Sequence, residues 1–168
     1  MRYTILIIIT ISFLLSLGCG ENSPVYTEQK VVATLQNGWK AYENKNFLEA
    51  EQLFLKLKDS INIAEGKEAR VGIAYARVSN FTENSLELQQ NIEYIRVILE
   101  EVFENNINTL YEPVFNSNID NADARALLST IYLLQGNVAL YNANLAESEL
   151  NGNIDSTTQT MIDRLKGM

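Results

Sequence analysis

A repeat constrains this chain more than any other feature. Gly38 and Gly72 stand 34 residues apart, as do Ala41 and Tyr75, Asn46 and Asn80, Phe47 and Phe81, Glu49 and Glu83, and Phe54 and Leu88. A second offset, 57, takes Gly72 to Ser129, Tyr75 to Tyr132, Asn80 to Asn137, Phe81 to Val138 and Leu88 to Leu145. Self-similarity of this kind describes units that cannot bury an apolar face alone and must stack on their neighbours. The small residue at 38, 72 and 129 lets the two helices of a unit approach closely. The Asn at 46, 80 and 137 stops one helix and caps the next, because its side chain accepts from the free N–H groups there.

The periodicity inside the units is helical. From Thr27 onward apolar residues recur at steps of three and four. Val32, Leu35, Trp39 and Tyr42 line a first helix; Phe47, Ala50, Leu53, Phe54 and Leu57 line a second; Ala69 to Val78 reads as a third. The fourth, about Asn84 to Asn105, carries Leu88, Ile92, Ile95, Leu99 and Val102, a seam suited to packing along a neighbour. A connector from Ile107 to Asp120 leads to a fifth helix with Ala124, Leu127, Leu128, Ile131 and Tyr132. Gly136-Asn137 ends it, Val138 to Leu150 is a sixth, and Ser156 to Leu165 a short closing helix. No alternating strand pattern competes, and both prolines, 24 and 113, fall outside the expected helices. The fold expected is all-α, about three antiparallel hairpins stacked as a short, irregular superhelix with a C-terminal capping helix, over residues 27–168.

Residues 1–18 stand apart. Met1-Arg2 is positively charged, Ile5 to Leu17 is apolar, and Leu15-Ser16-Leu17-Gly18 leads into Cys19, the single cysteine. A run of 13 residues falls short of the roughly 20 that span a bilayer as a helix. The segment resembles a bacterial lipoprotein signal with its lipobox; the competing reading is an ordinary secretory signal with a coincidental cysteine. The resemblance implies cleavage before Cys19, a diacylglycerol on its sulfur and, usually, an acylated amine of the palmitate type. It also implies a cell-envelope location, in the outer membrane where the host has one, since Gly20 is not the aspartate of inner-membrane retention. Gly20 to Tyr26 then reads as a tether reaching about 25 Å at most.

Cleavage would leave 150 residues, enough for one domain that buries roughly 70% of its unfolded surface. No thiol would remain for a disulfide, so stability must come from packing. Loss of Arg2 leaves 12 basic against 21 acidic residues, a net charge of −9. With no Lys/Arg cluster, nucleic acid is an unsuitable partner and membrane attachment must come from acyl chains.

The segment from Gly38 to Phe54 resembles a tetratricopeptide repeat through Gly38, Tyr42, Phe47, Ala50 and Phe54. The later units depart from it: Asn84 and Tyr141 replace the alanine, the terminal proline is missing, and 23 extra residues separate the second and third units. In that family the first helices of successive hairpins line a groove that takes a peptide. Carried over by position, the groove would comprise Leu35, Trp39, Tyr42 and Glu43, then Ala69, Ile73, Ala76 and Arg77, then Thr130, Leu133 and Leu134. Trp39 suits either an interface anchor or the core stripe it also belongs to.

The chain has no histidine and no second cysteine, which removes Ser/His/Asp triads, Cys/His nucleophiles, histidine zinc sites and haem ligation. No glycine-rich phosphate loop occurs, and acidic pairs such as Glu83 and Glu87, or Glu100 and Glu101, read as solvated helix faces. Asn116 to Asp120 and Asn151 to Asp155 alternate oxygen-bearing residues but do not continue as calcium loops; Leu127 and Ile162 stand where a bidentate glutamate is needed. They read as turns in which Asp120, with Asp123 behind it, and Asp155 or Ser156 cap the next helix. The expectation is a lipid-anchored, non-catalytic interaction module without metal or cofactor, binding another envelope protein or peptide. A small-ligand or glycan binder using the tyrosines and Trp39 is the alternative.

Overall fold

The computed structural model describes residues 24–81 and 85–167; Cys19 and its leader lie outside them. Among the described residues the chain is all-α: α1 (Pro24–Glu43), α2 (Phe47–Leu55), α3 (Ile63–Ser79), α4 (Ser85–Val102), α5 (Asn121–Leu134), α6 (Val138–Asn151) and α7 (Ser156–Lys166). Two compact units divide the chain after Lys30. The described part of the first, from Pro24, is helical, and the second contains everything that follows. No described helix is long and apolar enough to cross a membrane.

α1 begins at Pro24, inside the stretch read as tether and at a proline read as lying outside helices. The first N–H groups of a helix have no intrahelical partner, so a proline there loses no bond and has its φ already set. α3 begins at Ile63, six residues before the expected Ala69. Asn62 caps it by accepting from the Ala64 amide, while the inward positions of its first turns are Glu65, Gly66 and Glu68, which give no apolar period. α4 ends at Val102, because Glu104 and Asn105 adopt left-handed backbone.

Within the second unit, successive helices pack on one another from α2 through α6, and α7 lies against α5 and α3. This is a repeat-like helical arrangement, and its stripes are the expected ones where side chains are described; those of Val32 and Leu88 lie outside the description. Ile92, Ile95, Leu99 and Val102 of α4 are buried, as are Ala124, Leu127, Leu128, Ile131 and Tyr132 of α5. Gly38 and Gly72 grip one ring: a Cβ on either would lie 2.6 Å from ring atoms of the fully buried Phe54. The small residues thus seat α1 and α3 on opposite edges of an α2 side chain.

Two hairpin turns repeat in backbone detail. The Asn46 amide donates to the Ala41 carbonyl and the Lys45 amide to that of Tyr42; Asn137 donates to Tyr132 and Gly136 to Leu133 in the same way. Each is the double bond of a Schellman end, with Lys45 (φ 63) and Gly136 (φ 74) at the left-handed position. Asn137 then caps α6 through the Leu140 amide, whereas the Asn46 side chain makes no cap bond to α2.

Candidate functional site

The face expected to form a groove does not lie open. Leu35, Trp39, Ala69, Ile73, Ala76 and Thr130 are buried. Arg77, at the edge, donates to Glu51 (2.7 Å) and Asn91 (3.1 Å) and lies 3.8 Å over the Tyr94 ring. Tyr42 and Leu133 are half-buried, and Glu43 and Leu134 are exposed. Trp39 is a core residue, 2% exposed, with its ring edge-on to Phe54 at 5.0 Å and to Tyr75 at 6.2 Å.

The covering comes from the chain itself. Trp39 donates its indole N–H to Oε1 of Glu68 (2.8 Å), a fully buried carboxylate. The same carboxylate accepts the amides of Val114 (2.6 Å), Phe115 (2.8 Å) and Asn116 (2.9 Å), pinning the connector against α3. Arg125 of α5, also buried, holds the other part of the connector: Nη2 donates to the carbonyls of Asn106, Ile107 and Thr109. Its Nη1 reaches Asn144 of α6 (2.8 Å), and its plane stacks 3.6 Å over Phe103. A loop without helix or strand needs partners for its backbone groups when buried; here an anion takes amides and a cation takes carbonyls. Asn121 adds a bond to the Tyr111 amide (2.8 Å).

Neither charge is marked by local spacing in the sequence, but the repeat marks both. Glu68 and Arg125 are 57 residues apart, the offset relating the second and third units, so they occupy one repeat position on two first helices. A charged residue at a core-facing repeat position was the mark to look for.

α7 covers the remainder. Thr158 shares a 2.6 Å hydrogen bond with the buried hydroxyl of Tyr75. Met161 Sδ lies 3.7 Å from the Tyr42 hydroxyl and 3.6 Å from that of Ser79. Arg164 donates to the carbonyls of Ser79 and Phe81, closing the open end of α3. The aspartate caps hold as read. Asp120 accepts from the Ala122 and Asp123 amides while Asp123 accepts from Asp120, a complete capping box, and Asp155 accepts from Thr157. Asp123 also takes the Asp155 amide (2.7 Å), joining the start of α7 to that of α5.

Burial sets the electrostatics. It pushes the Tyr75 and Tyr111 hydroxyls well above their ordinary pKa, with the charge of Asp123 adding to the first and that of Glu68 to the second. It raises Asp123 against the hydrogen bonds from Asp155, Thr158 and Asp120, and lowers Arg125 to about 10, partly offset by Glu147. Among the described residues the Tyr111 hydroxyl, the Asn121 amide nitrogen and Arg125 Nε are buried without hydrogen-bond partners.

Among the clefts that the described residues leave open, two bear on the expected site. One of about 660 Å³ lies where the first hairpin turn, the end of α3 and α7 meet; Tyr42, Glu43, Phe47, Met161 and Arg164 line it with the hydroxyls of Ser79, Ser156, Thr157 and Thr160. It retains two of the expected groove residues, Tyr42 and Glu43. The other, about 490 Å³, lies among α4, α5 and α6 beside Phe103, Arg125, Leu128, Tyr132, Leu140 and Asn144. Among the described residues no group of three or more carboxylates, Cys or His is placed to hold a metal. No family model matches this chain, and no curated protein or solved structure matches it either.

Proposed function

We propose that this chain is a lipid-anchored envelope protein with a tetratricopeptide-like fold that binds another protein or peptide and performs no chemistry. The observation that carries the reading is the 660 Å³ cleft at the turn end of the first hairpin. Its Tyr, Phe, Met and Arg side chains include types enriched at protein interfaces, and Met adapts to irregular partner surfaces. The lipobox at Cys19 supports the anchor, and Gly20 favours the outer membrane. Capture of envelope proteins on this chain tests the function. Enrichment of a specific partner, lost in Glu43→Arg with Thr160→Arg while helicity is retained, supports it; enrichment indifferent to both substitutions refutes it. Radioactive palmitate should label the wild type and not Cys19→Ser.

The second reading, a small-ligand or glycan site, draws on the 490 Å³ cleft, whose volume suits a small molecule and whose Arg125 Nε has no partner. A saturable rise in Tm with soluble oligosaccharides, abolished by Leu140→Arg, would favour it.

A further inference from the structure

Five large apolar side chains are exposed in the segments beside the start of α3, and Leu48, Val97, Leu134, Val138, Leu140 and Leu150 are exposed elsewhere. Ile61 is fully exposed in the turn between α2 and α3, and Ile63, the first residue of α3, is 71% exposed; Leu110, Val114 and Phe115 are exposed in the connector. These five are nearly half of the eleven exposed large hydrophobics among the described residues. Both loops flank the first turns of α3 and are held there. Ser60 donates to Glu65 (3.1 Å), Arg70 pairs with Asp59 (3.6 Å) and Glu101 (2.9 Å), Lys67 with Glu104 (2.7 Å), and Glu68 grips the amides of Val114, Phe115 and Asn116. Loops tied down in this way lose less conformational freedom when their apolar tips make a contact.

The chain enters the second unit at this same end. Tyr42 meets Phe47 at the hairpin turn, Gly38 meets Phe54 and Trp39 reaches Glu68, so α1 runs antiparallel to α2 and Leu35 lies towards the loop of Ile61 and Ile63. α1 is helical from Pro24, and Cys19 stands five residues before it, an extended reach of at most about 18 Å.

We propose that this end rests on the lipid surface, with Ile61, Ile63, Leu110, Val114 and Phe115 entering the boundary between headgroups and acyl chains. The inference rests on the lipid-anchor reading above. Acyl chains alone would leave the domain free to turn on its tether; the apolar loops would fix which end faces the membrane and hold the Tyr42–Arg164 cleft, at the turn end of the first hairpin, away from it. The contact is apolar and not electrostatic. Lys56, Lys58, Lys67 and Arg70 at this end are interspersed with Asp59, Glu101, Glu104 and Glu112, so anionic lipid is not required.

The test uses the full, acylated chain purified from membranes and reconstituted in phosphatidylcholine vesicles whose acyl chains carry bromine, a short-range quencher of indole. Ile61→Trp places a reporter in the loop, and Leu48→Trp, 62% exposed at the other end of α2, is the control; Trp39 is buried in both. Interfacial insertion about 5–10 Å deep brings the first reporter near the bromines, so its emission should fall by about half while the control is unchanged. An Ile61→Trp signal unaffected by bromine overturns the inference, as does equal quenching of both reporters. An Ile61→Trp signal already blue-shifted in detergent and indifferent to bromine would mean that a protein or a second copy covers the loop, which also overturns it. Palmitate labelling of the same preparation separates the two failures: labelled protein with an unquenched loop sinks this inference alone, and absent label sinks the anchor.

Discussion

Glu68→Gln tests the internal latch most sharply. The substitution keeps the shape of the side chain and turns one carboxylate oxygen into an N–H₂ group. Oε1 receives Trp39 Nε1 and the Asn116 amide, and Oε2 receives the amides of Val114 and Phe115. Whichever oxygen is replaced, two buried or half-buried donors then face a donor. An orphaned buried donor costs about 1–3 kcal/mol, and the two surviving bonds lose the advantage of a charged acceptor, so a loss of about 3–5 kcal/mol is expected. A domain with total stability of about 5–15 kcal/mol survives that with a much lower midpoint. Urea unfolding followed by Trp39 fluorescence measures the loss, since this indole is the only one in the chain and touches the altered group. Amide exchange should quicken most at Val114, Phe115 and Asn116, where the connector opens locally. A change below about 1 kcal/mol with unaltered exchange at these three amides would refute the latch.

Three further outcomes follow from the geometry. Gly72→Ala gains about 1 kcal/mol of helix propensity, yet its Cβ meets a Phe54 ring that Gly38 blocks from the far side; a net loss of about 1–2 kcal/mol is expected. In a double-mutant cycle with Phe54→Leu that loss should shrink by at least about 1 kcal/mol, and strict additivity would contradict the clamp. Lys45 is exposed with φ 63, where Gly136 stands in the third unit, so Lys45→Gly should stabilise by about 0.5 kcal/mol, the relief of left-handed strain exceeding glycine's entropy cost; a lower urea midpoint counts against it. For Asp123, burial raises the carboxyl pKa, so the folded chain holds that proton more tightly than the unfolded chain. Its contribution is present below the ordinary carboxylate range and is lost as pH rises through the raised value. The stability of wild type relative to Asp123→Asn should therefore improve as pH falls, and a pH-independent difference between the two unfolding curves would show that Asp123 does not titrate differently on folding.

The legible part of this fold was the part made of regular spacing. The stripes of α2, α4 and α5, the paired turns at Asn46 and Asn137, and the aspartate caps at 120 and 155 all depend on residues a few positions apart. Local physics decides such features before any tertiary contact forms. The start of α3 was missed because its inward residues are Glu65, Gly66 and Glu68, so a hydrophobic period is absent where the helix is most enclosed. Transferred groove positions gave Tyr42 and Glu43 an open cleft but not Leu35, Trp39, Ile73 or Thr130, because the chain's own connector and last helix lie on those helices.

By itself the sequence determined the helices, their order and the two repeat offsets, and it carries the only trace of an address, in Cys19. The tertiary structure alone decided that Glu68 and Arg125, one repeat position in two units, divide the connector's amides and carbonyls between them, and that Trp39 belongs to the core. Helix periods are set by neighbours within a turn or two, whereas the destination of a buried charge depends on which distant backbone is brought within about 3 Å of it. That pairing is fixed only when the stack closes.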